Sequence, residues 1–336
     1  MESGMVKERK VWIDWMKSIG MLAIIWGHCF PEGMSAFIYA FNVPVFFVIS
    51  GYLTHQESSM RVCIDKVWNN LMIPYLILAF IKAAGDMLHH LLDGQWYWSI
   101  IAILGGFHHL HNVSGCSNLW FVYTLILIRL IYQAFPHHRI ILSVISVIGA
   151  LIYNQMEWSF SWSVTNVLIA LPFFMLGNVL ASAEGFEKMI QKVQSMAWWK
   201  WLVMLLTCIV VTYIISFFNG SAKMYEGLYG RSFILFVIAS ITGSCIVYMV
   251  STRLNCCNWK IVRISSIGSI VTLVFHRELL HPLIKWIDKM NFDIVIENIT
   301  LFVSSVIVLL AFVPIIIVVK KVLPIVLGKR AEKVWR

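Results

Sequence analysis

The first long apolar segment of the chain carries three ionisable residues at a spacing that suits a ligand-binding site. Asp14, Lys17 and His28 stand among apolar residues, where an ionisable side chain is costly and marks a functional candidate. Eleven residues of helix bring Lys17 and His28 onto one face, about 16 Å apart along the axis. A cation near one membrane face and an imidazole near the other suit coenzyme A, with its phosphates at Lys17 and its thioester at His28. Snorkelling of both side chains to their nearest interface is the open alternative.

Further ionisable residues lie in later apolar segments, among them Arg277, to which the sequence assigns no role. His276 is a second catalytic candidate, and a histidine hydrogen-bonded within a helix bundle is the alternative. Glu278 lies two residues on and does not share its helix face, so it would bind substrate or orient an imidazole on another helix. Lys82 and Asp86 have the i, i+4 spacing of an ion pair. We expect Arg129 to snorkel to the inner interface. These residues are all read directly from the sequence.

Polar and aromatic residues between the apolar segments are candidates for substrate contact. Asn42 lies inside the second apolar segment and is a possible hydrogen-bond donor to substrate. The segment with His108, His109 and His111 is followed by Asn118 and Trp120, and polar tips with aromatic faces suit a sugar. A solvated loop is the alternative, and no carboxylate or cysteine pair completes a metal site there. We therefore assign substrate contact to Asn42, His111, Asn118 and Trp120, and predict no metal.

Composition excludes most classes of protein. Of 336 residues, 60% are hydrophobic and only 13% are charged, about half the charged fraction of soluble domains. That composition excludes an ordinary soluble enzyme and a disordered chain. The net charge of +9 fits basic loops on the cytoplasmic side of a membrane, and we do not expect nucleic-acid binding. The seven cysteines include no C-x-x-C pair, which gives no support to a redox or zinc motif.

The pattern of apolar segments predicts an all-α polytopic membrane bundle of about ten transmembrane helices. A span needs about 20 apolar residues, and the segment at 96–106 is too short, so we expect it to be interfacial or re-entrant. Lys and Arg concentrate on one side when both termini are cytoplasmic. We predict one membrane domain over 1–336, with spans within 10–321 and a basic cytoplasmic tail at 322–336. The first apolar run has no small-residue cleavage site and is expected to remain as an anchor. The predicted spans are 11–30, 34–54, 71–91, 118–135, 140–153, 165–182, 201–218, 232–250, 264–283 and 299–319.

A series of short motifs resembles the acyltransferase family 3 membrane proteins, in particular the branch of fucose 4-O-acetylases and related sugar O-acetyltransferases. The first motif is an Asp, then a cation three residues later, ten residues and a His, as at Asp14, Lys17 and His28. The others follow in the family's order and cover nearly the whole chain. They are residues 43–53 (VPVFFVISGYL), 71–76 (LMIPYL), 119–125 (LWFVYTL), 173–180 (FFMLGNVL) and 269–276 (SIVTLVFH).

The resemblance implies transfer of an acyl group, usually acetyl, from cytoplasmic acyl-CoA to a sugar hydroxyl. It implies that His28 is catalytic and that Lys17 holds the donor. We add two donor-binding candidates: Asp14, which has the i, i+3 spacing to pair with Lys17 and hold it, and Lys66 from the thinned basic stretch before residues 71–76. Lys17 stands where the family more commonly has Arg. Its ammonium group binds phosphate as a point charge, whereas a guanidinium would form two parallel hydrogen bonds. Asn42 and Asn118 stand where this branch often has His. A histidine can act as the base or carry the acyl group on nitrogen, and both routes stay open.

We therefore expect a multi-pass O-acyltransferase of the bacterial inner membrane that modifies a cell-surface or lipid-linked sugar. Acetyl-CoA, or another acyl-CoA, is expected as a co-substrate, with no permanently bound cofactor. The expected partners are the acyl-CoA, the glycan acceptor and the lipid bilayer. Two alternatives remain: a transporter or flippase of lipid-linked saccharide without acyl transfer, and a non-catalytic membrane partner in polysaccharide assembly.

Overall fold

The computed structural model describes residues 9–111, 113–156, 162–183 and 185–328, and it is almost entirely helical. Most of the predicted basic tail, residues 329–336, lies outside the described residues. A two-stranded hairpin, β1 (His109–Leu110) and β2 (Val113–Ser114), is the one sheet in the described part. The α-helices are α1 (Val11–Gly27), α2 (Ser35–Phe41), α3 (Pro44–Leu53), α4 (Met60–Val67), α5 (Ile73–His89), α6 (Trp96–Gly105), α7 (Trp120–Ala134), α8 (Arg139–Gln155), α9 (Ser163–Ser182), α10 (Phe186–Ser195), α11 (Trp198–Asn219), α12 (Phe233–Arg253), α13 (Lys260–Ile267), α14 (Ser269–Asp288) and α15 (Ile294–Val322).

Several of these helices are long and apolar enough to cross a membrane. The described residues contain six such helices, or seven if the bent pair α13–α14 is one span. Each of the ten segments predicted from sequence coincides with helical structure, but α1, α7 and α8 have only 17, 15 and 17 residues. The chain is thus a multi-pass helical membrane protein, and the count of ten spans and the cytoplasmic termini stay predictions. The short α6 agrees in length with a segment that does not cross.

Helix α1 lies at the centre of the bundle. It contacts α2, α3 and the four helices α12–α15. Most of its side chains are buried, including Asp14 and Ser18. A helix surrounded on all sides can present polar residues only to other helices or to an internal cavity. The ionisable residues of α1 therefore face protein rather than lipid.

Helices α3 and α9 pack closely against each other, and their contact depends on two glycines. A Cβ atom at Gly51 would overlap the carbonyl oxygen of Phe174, and one at Gly177 would overlap the carbonyl oxygen of Val48. Glycine lets two helix backbones approach in this way without a clash. The Ser50–Gly51 and Leu176–Gly177 motifs therefore serve helix packing at their glycines.

Three helical segments are interrupted at polar or glycine positions. The span formed by α2 and α3 breaks at Asn42, immediately before Pro44 begins α3. A π-helical turn, Trp68–Met72, joins α4 to α5, and the side chains of Asn69 and Asn70 each donate to a carbonyl four residues earlier, at 2.7 Å. Helices α13 and α14 meet at 89° at Gly268. Such breaks inside a membrane protein are tolerated where the backbone lines a cavity or is buried in protein.

Candidate active site

One cavity of about 600 Å³ is enclosed by α1, α2, α3, α7 and α14 together with the loops at 108–118 and 221–225. Five of the residues selected from sequence line it, namely Lys17, His28, Asn42, Asn118 and Trp120. Lys17 and His28 thus share one cavity, as their spacing on α1 predicts. Residues separated by most of the chain meet here only because the bundle folds them together.

The cavity has two distinct ends because the lining helices run antiparallel. Helix α1 runs from Lys17 to His28, and the chain returns through α2 and α3. Asn42 lies beside the last turn of α1, since a Cβ at Gly27 would stand 3.2 Å from its amide nitrogen. Thr54, at the end of α3, lines the opposite end. We call these the His28 end and the Lys17 end.

At the His28 end, two histidines from different helices are in contact. The ring centroids of His28 and His276 are 4.9 Å apart, with the planes tilted by 38°. The Nδ1 atom of His276 lies 3.0 Å from the carbonyl oxygens of both Thr272 and Leu273. Because a carbonyl oxygen can only accept, Nδ1 carries the proton and donates it to them. The Nε2 atom is then left with a free lone pair, and it is buried without a partner among the described residues.

Asn118 and Asn42 contribute amide groups to the same end. The Nδ2 of Asn118 donates to the carbonyl oxygen of Leu273 at 3.4 Å. The same carbonyl oxygen also accepts the hydrogen bond from Nδ1 of His276. Asn118 thereby braces the turn of α14 that fixes the imidazole. The Oδ1 of Asn42 is buried without a hydrogen-bond partner in the described part of the chain. A buried unpaired amide oxygen is costly, and an incoming hydroxyl would satisfy it.

At the Lys17 end, Asp14 is held from two sides. Arg9 donates to its two carboxylate oxygens at 2.5 and 2.7 Å, and the hydroxyl of Ser266 donates at 2.7 Å. The carboxylate thus ties the start of α1 to α13. Neither Arg9 nor Ser266 is evident as a partner from sequence. Arg129 of α7 also lines this end of the cavity, so the residue expected to snorkel faces the interior.

Five residues selected from sequence are not part of the cavity lining, namely Asp14, Lys66, His111, His276 and Glu278. Lys66 forms an ion pair with Glu57 on the surface near the Lys17 end. His111 stacks on Trp98, with ring centroids 4.0 Å apart. The structure therefore places Lys66 where it can reach only a ligand that extends beyond the cavity, and it places His111 in the packing of the hairpin.

Glu278 also lies away from the cavity, where it joins two helices. It forms an ion pair with Lys82 of α5. The predicted pairing of Lys82 with Asp86 is wrong, because Asp86 instead accepts the backbone N–H of Ser114 at 2.6 Å. Packing of α5 against α14 and the hairpin gives each side chain a partner that the i, i+4 rule does not anticipate.

The histidine-rich segment folds over the His28 end of the cavity. His108 and His109 line it, and the ring of His108 lies 6.0 Å from Trp120 and 6.3 Å from Tyr225. Burial lowers the pKa of His108 to about 3, with a further contribution from His109. His108 is therefore neutral at physiological pH. No group of three His, Cys, Asp or Glu side chains is arranged to hold a metal ion within the described ranges.

Sequence reasoning assigned no role to three residues of the cavity wall. Tyr39 and Tyr225 line the His28 end, but they carry no spacing or motif signal. Arg277 lines the same end; its position inside an apolar segment marked it as costly without assigning it a role. All three come from different parts of the chain, so only the fold brings them together.

A family model described as an acyltransferase domain, acyltransferase family 3, matches residues 10–319. The match covers α1 through most of α15 and includes every residue of the cavity lining. No curated protein and no solved structure matches this chain.

Proposed function

Because the chain belongs to acyltransferase family 3, we propose that it transfers an acyl group, most simply acetyl, from acyl-CoA to a sugar hydroxyl. The donor enters at the Lys17 end from the cytoplasm, and the acceptor enters at the His28 end from the other side of a bacterial inner membrane. The acceptor class is a cell-surface or lipid-linked sugar, as in the fucose 4-O-acetylase branch. The observation that supports this proposal is the single cavity that runs along α1 from Lys17 to His28.

The donor fits the polarity of the cavity. Lys17 and Arg129 offer cations at one end, where the phosphates of coenzyme A would lie. The rise of α1 separates Lys17 from His28 by about 16 Å, which matches the phosphopantetheine arm. The thioester then lies beside the two histidines, and the transferring carbonyl never has to leave the protein.

The two histidines divide the proton chemistry. The acceptor oxygen attacks the thioester carbonyl carbon, and His28 takes the hydroxyl proton as the new C–O bond forms. The tetrahedral intermediate then collapses with cleavage of the C–S bond, and the imidazolium returns the proton to the leaving thiolate. We assign His276 a positioning role: its Nε2 lone pair is buried without a partner among the described residues, and reorientation of the neighbouring imidazole would let it accept an N–H hydrogen bond from His28. Positioned proton transfer of this kind contributes about 10²–10⁴-fold to a rate.

The polar groups around the histidines position the acceptor. The unpaired Oδ1 of Asn42 accepts a hydrogen bond from a sugar hydroxyl group. Trp120 offers an apolar face to the sugar ring. These groups hold the hydroxyl next to His28, and orientation of this kind removes much of the entropic part of a barrier.

Acetyl-CoA turnover in purified protein tests this proposal. The protein is reconstituted in liposomes with labelled acetyl-CoA and a glycan acceptor, as wild type, His28→Ala, Lys17→Ala and His137→Ala. His137 is exposed and is not part of the cavity lining, so its variant is the matched control. We expect His28→Ala to lose transfer, Lys17→Ala to raise the KM for acetyl-CoA, and the control to resemble wild type.

Other outcomes would contradict the proposal. Full transfer in His28→Ala would exclude the assigned base. Movement of lipid-linked saccharide without acyl-CoA consumption would favour the flippase alternative. Normal polysaccharide assembly in a cell that carries both the His28 and the Lys17 substitution would favour the non-catalytic partner.

A further inference from the structure

The His28 end of the cavity contains a positive charge without a counter-ion. Arg277 is partly buried in the cavity wall, and it forms neither an ion pair nor a hydrogen bond with any described residue. The other two cations nearby are neutralised, because Lys223 lies 3.7 Å from Glu226 and Lys82 pairs with Glu278. One uncompensated guanidinium therefore faces the space where the acceptor enters.

Two tyrosines complete the surroundings of Arg277. Tyr39 of α2 and Tyr225 of the 221–225 loop line the same end, and both lie within electrostatic range of the guanidinium. Burial raises the pKa of Tyr225 to about 12, although Arg277 acts in the opposite direction. Its hydroxyl group therefore keeps its proton at physiological pH, and it donates that proton in a hydrogen bond to the carboxylate of Glu226. His108, also neutral, adds no charge.

This combination of donors matches an anion. Arginine binds carboxylate and phosphate groups through two parallel N–H bonds, and the hydroxyl of Tyr39 would add a further donor. The thioester end of acetyl-CoA is uncharged, and the phosphates of the donor lie at the Lys17 end in the proposed binding mode. An anion at Arg277 must therefore arrive with the other substrate.

We propose that Arg277, with Tyr39 and Tyr225, forms a subsite for a negatively charged group on the acceptor, either the carboxylate of an acidic sugar or a sugar phosphate. The inference rests on the proposed function and narrows its acceptor class. Arg277 is in this account a specificity-determining residue that holds the acceptor, while His28 remains the base.

The first test compares matched acceptors in reconstituted protein. Transfer from acetyl-CoA is measured with methyl glucoside, methyl glucuronide and glucose 1-phosphate, in wild type, Arg277→Gln, Arg277→Lys and Lys285→Gln. Lys285 lies two turns further along α14, is exposed and is not part of the cavity wall, so it controls for general surface charge. A lost charge-assisted hydrogen bond corresponds to roughly 10–100-fold in affinity.

We expect wild type to prefer one of the two anionic acceptors to the neutral one. Arg277→Gln should raise the KM for that acceptor roughly 10–100-fold and remove the preference, whereas Arg277→Lys should retain part of it. The acceptor whose KM rises more in Arg277→Gln, methyl glucuronide or glucose 1-phosphate, identifies which anionic group the subsite binds. Equal loss for charged and neutral acceptors, or a preference for succinyl-CoA over acetyl-CoA in place of an acceptor preference, would overturn the proposal.

A binding measurement separates failure of this inference from failure of the proposed function. Thermal unfolding of the detergent-purified protein is followed with glucose, glucuronate and glucose 1-phosphate, and it requires no turnover. A shift that only the anions produce, and that Arg277→Gln and Tyr39→Phe both reduce, supports the subsite even if acetyl-CoA is never consumed. No anion-dependent shift in wild type, or the same shift in both variants, would overturn it.

Discussion

His28 of α1 and His276 of α14 lie with their ring centroids 4.9 Å apart at one end of the internal cavity. They are 248 positions apart in the chain, as their numbers show. The two backbone carbonyls that accept the Nδ1 proton of His276 fix which of its nitrogens can serve His28. Only its Nε2 atom is left to accept a hydrogen bond, and in the proposed mechanism His28 supplies the N–H.

The direction of this pair predicts different effects for two substitutions of His276. A Gln side chain places a polar atom near the former Nε2 position, while Asn places one near Nδ1. His276→Asn should therefore lower kcat roughly 10²-fold or more, and His276→Gln should retain a larger share of it. Both should leave the KM for acetyl-CoA nearly unchanged. Steady-state kinetics of the two purified variants, with thermal unfolding as a check of folding, measures this difference. An equal loss in both would contradict the assigned tautomer.

The glycine contact between α3 and α9 predicts a large effect of a single methyl group. Gly51→Ala and Gly177→Ala each force a Cβ into a backbone carbonyl, which cannot move aside as a side chain can. We expect a loss of roughly 1–3 kcal/mol or more in stability, seen as a lower unfolding temperature in detergent. Gly85→Ala is the control, since nothing lies within 4 Å of its Cβ position on α5. A control as destabilised as the two test variants would show that the close contact is not the cause.

The Asp14 cluster predicts a structural effect at the Lys17 end. Asp14→Asn removes the negative charge that accepts hydrogen bonds from Arg9 and Ser266. The buried donors around it then have fewer acceptors. We expect a loss of roughly 1–3 kcal/mol in stability together with a raised KM for acetyl-CoA. Glu187→Gln, which breaks an exposed ion pair with Lys10, should have an effect within about 1 kcal/mol. Thermal unfolding and acetyl-CoA kinetics measure both; wild-type behaviour of Asp14→Asn would contradict the role of the cluster.

Burial of His108 predicts a pH dependence of stability. Its pKa is about 3 in the folded protein against 6.5 as the ordinary value, so the unfolded chain binds the proton first as pH falls. The contribution to stability is complete above pH 6.5 and is lost progressively as pH falls from 6.5 towards 3. His108→Phe removes this titration. As pH is lowered from 8 to 4.5, the unfolding temperature of the variant should therefore decrease less steeply than that of wild type. Parallel curves would mean that His108 titrates normally.

Helical spacing and the pattern of apolar residues predicted the features that lie on one helix. The spacing of Lys17 and His28 sufficed to place both on one cavity wall, because the geometry of a single α-helix determines it. The apolar segments likewise predicted where helices form.

The features that the sequence did not reveal depend on contacts between helices. The i, i+4 rule proposed Lys82 with Asp86, but α14 supplied Glu278 as the stronger partner. The meeting of Tyr39, Tyr225 and Arg277 requires the packing of α2, α14 and a loop around one cavity. The number of spans is also harder to predict where helices such as α7 are shorter than a bilayer-crossing length.

The measurement that tests the central claim most directly is transfer across a sealed membrane. Proteoliposomes are prepared with the glycan acceptor trapped inside and labelled acetyl-CoA added only outside, with vesicles of the His28→Ala variant as the control. The account predicts that label reaches the trapped acceptor in wild type although no acetyl-CoA enters the lumen. In vesicles of the variant, no label should reach the acceptor. Transfer only when donor and acceptor share one compartment would contradict a cavity that carries the acyl group across the membrane.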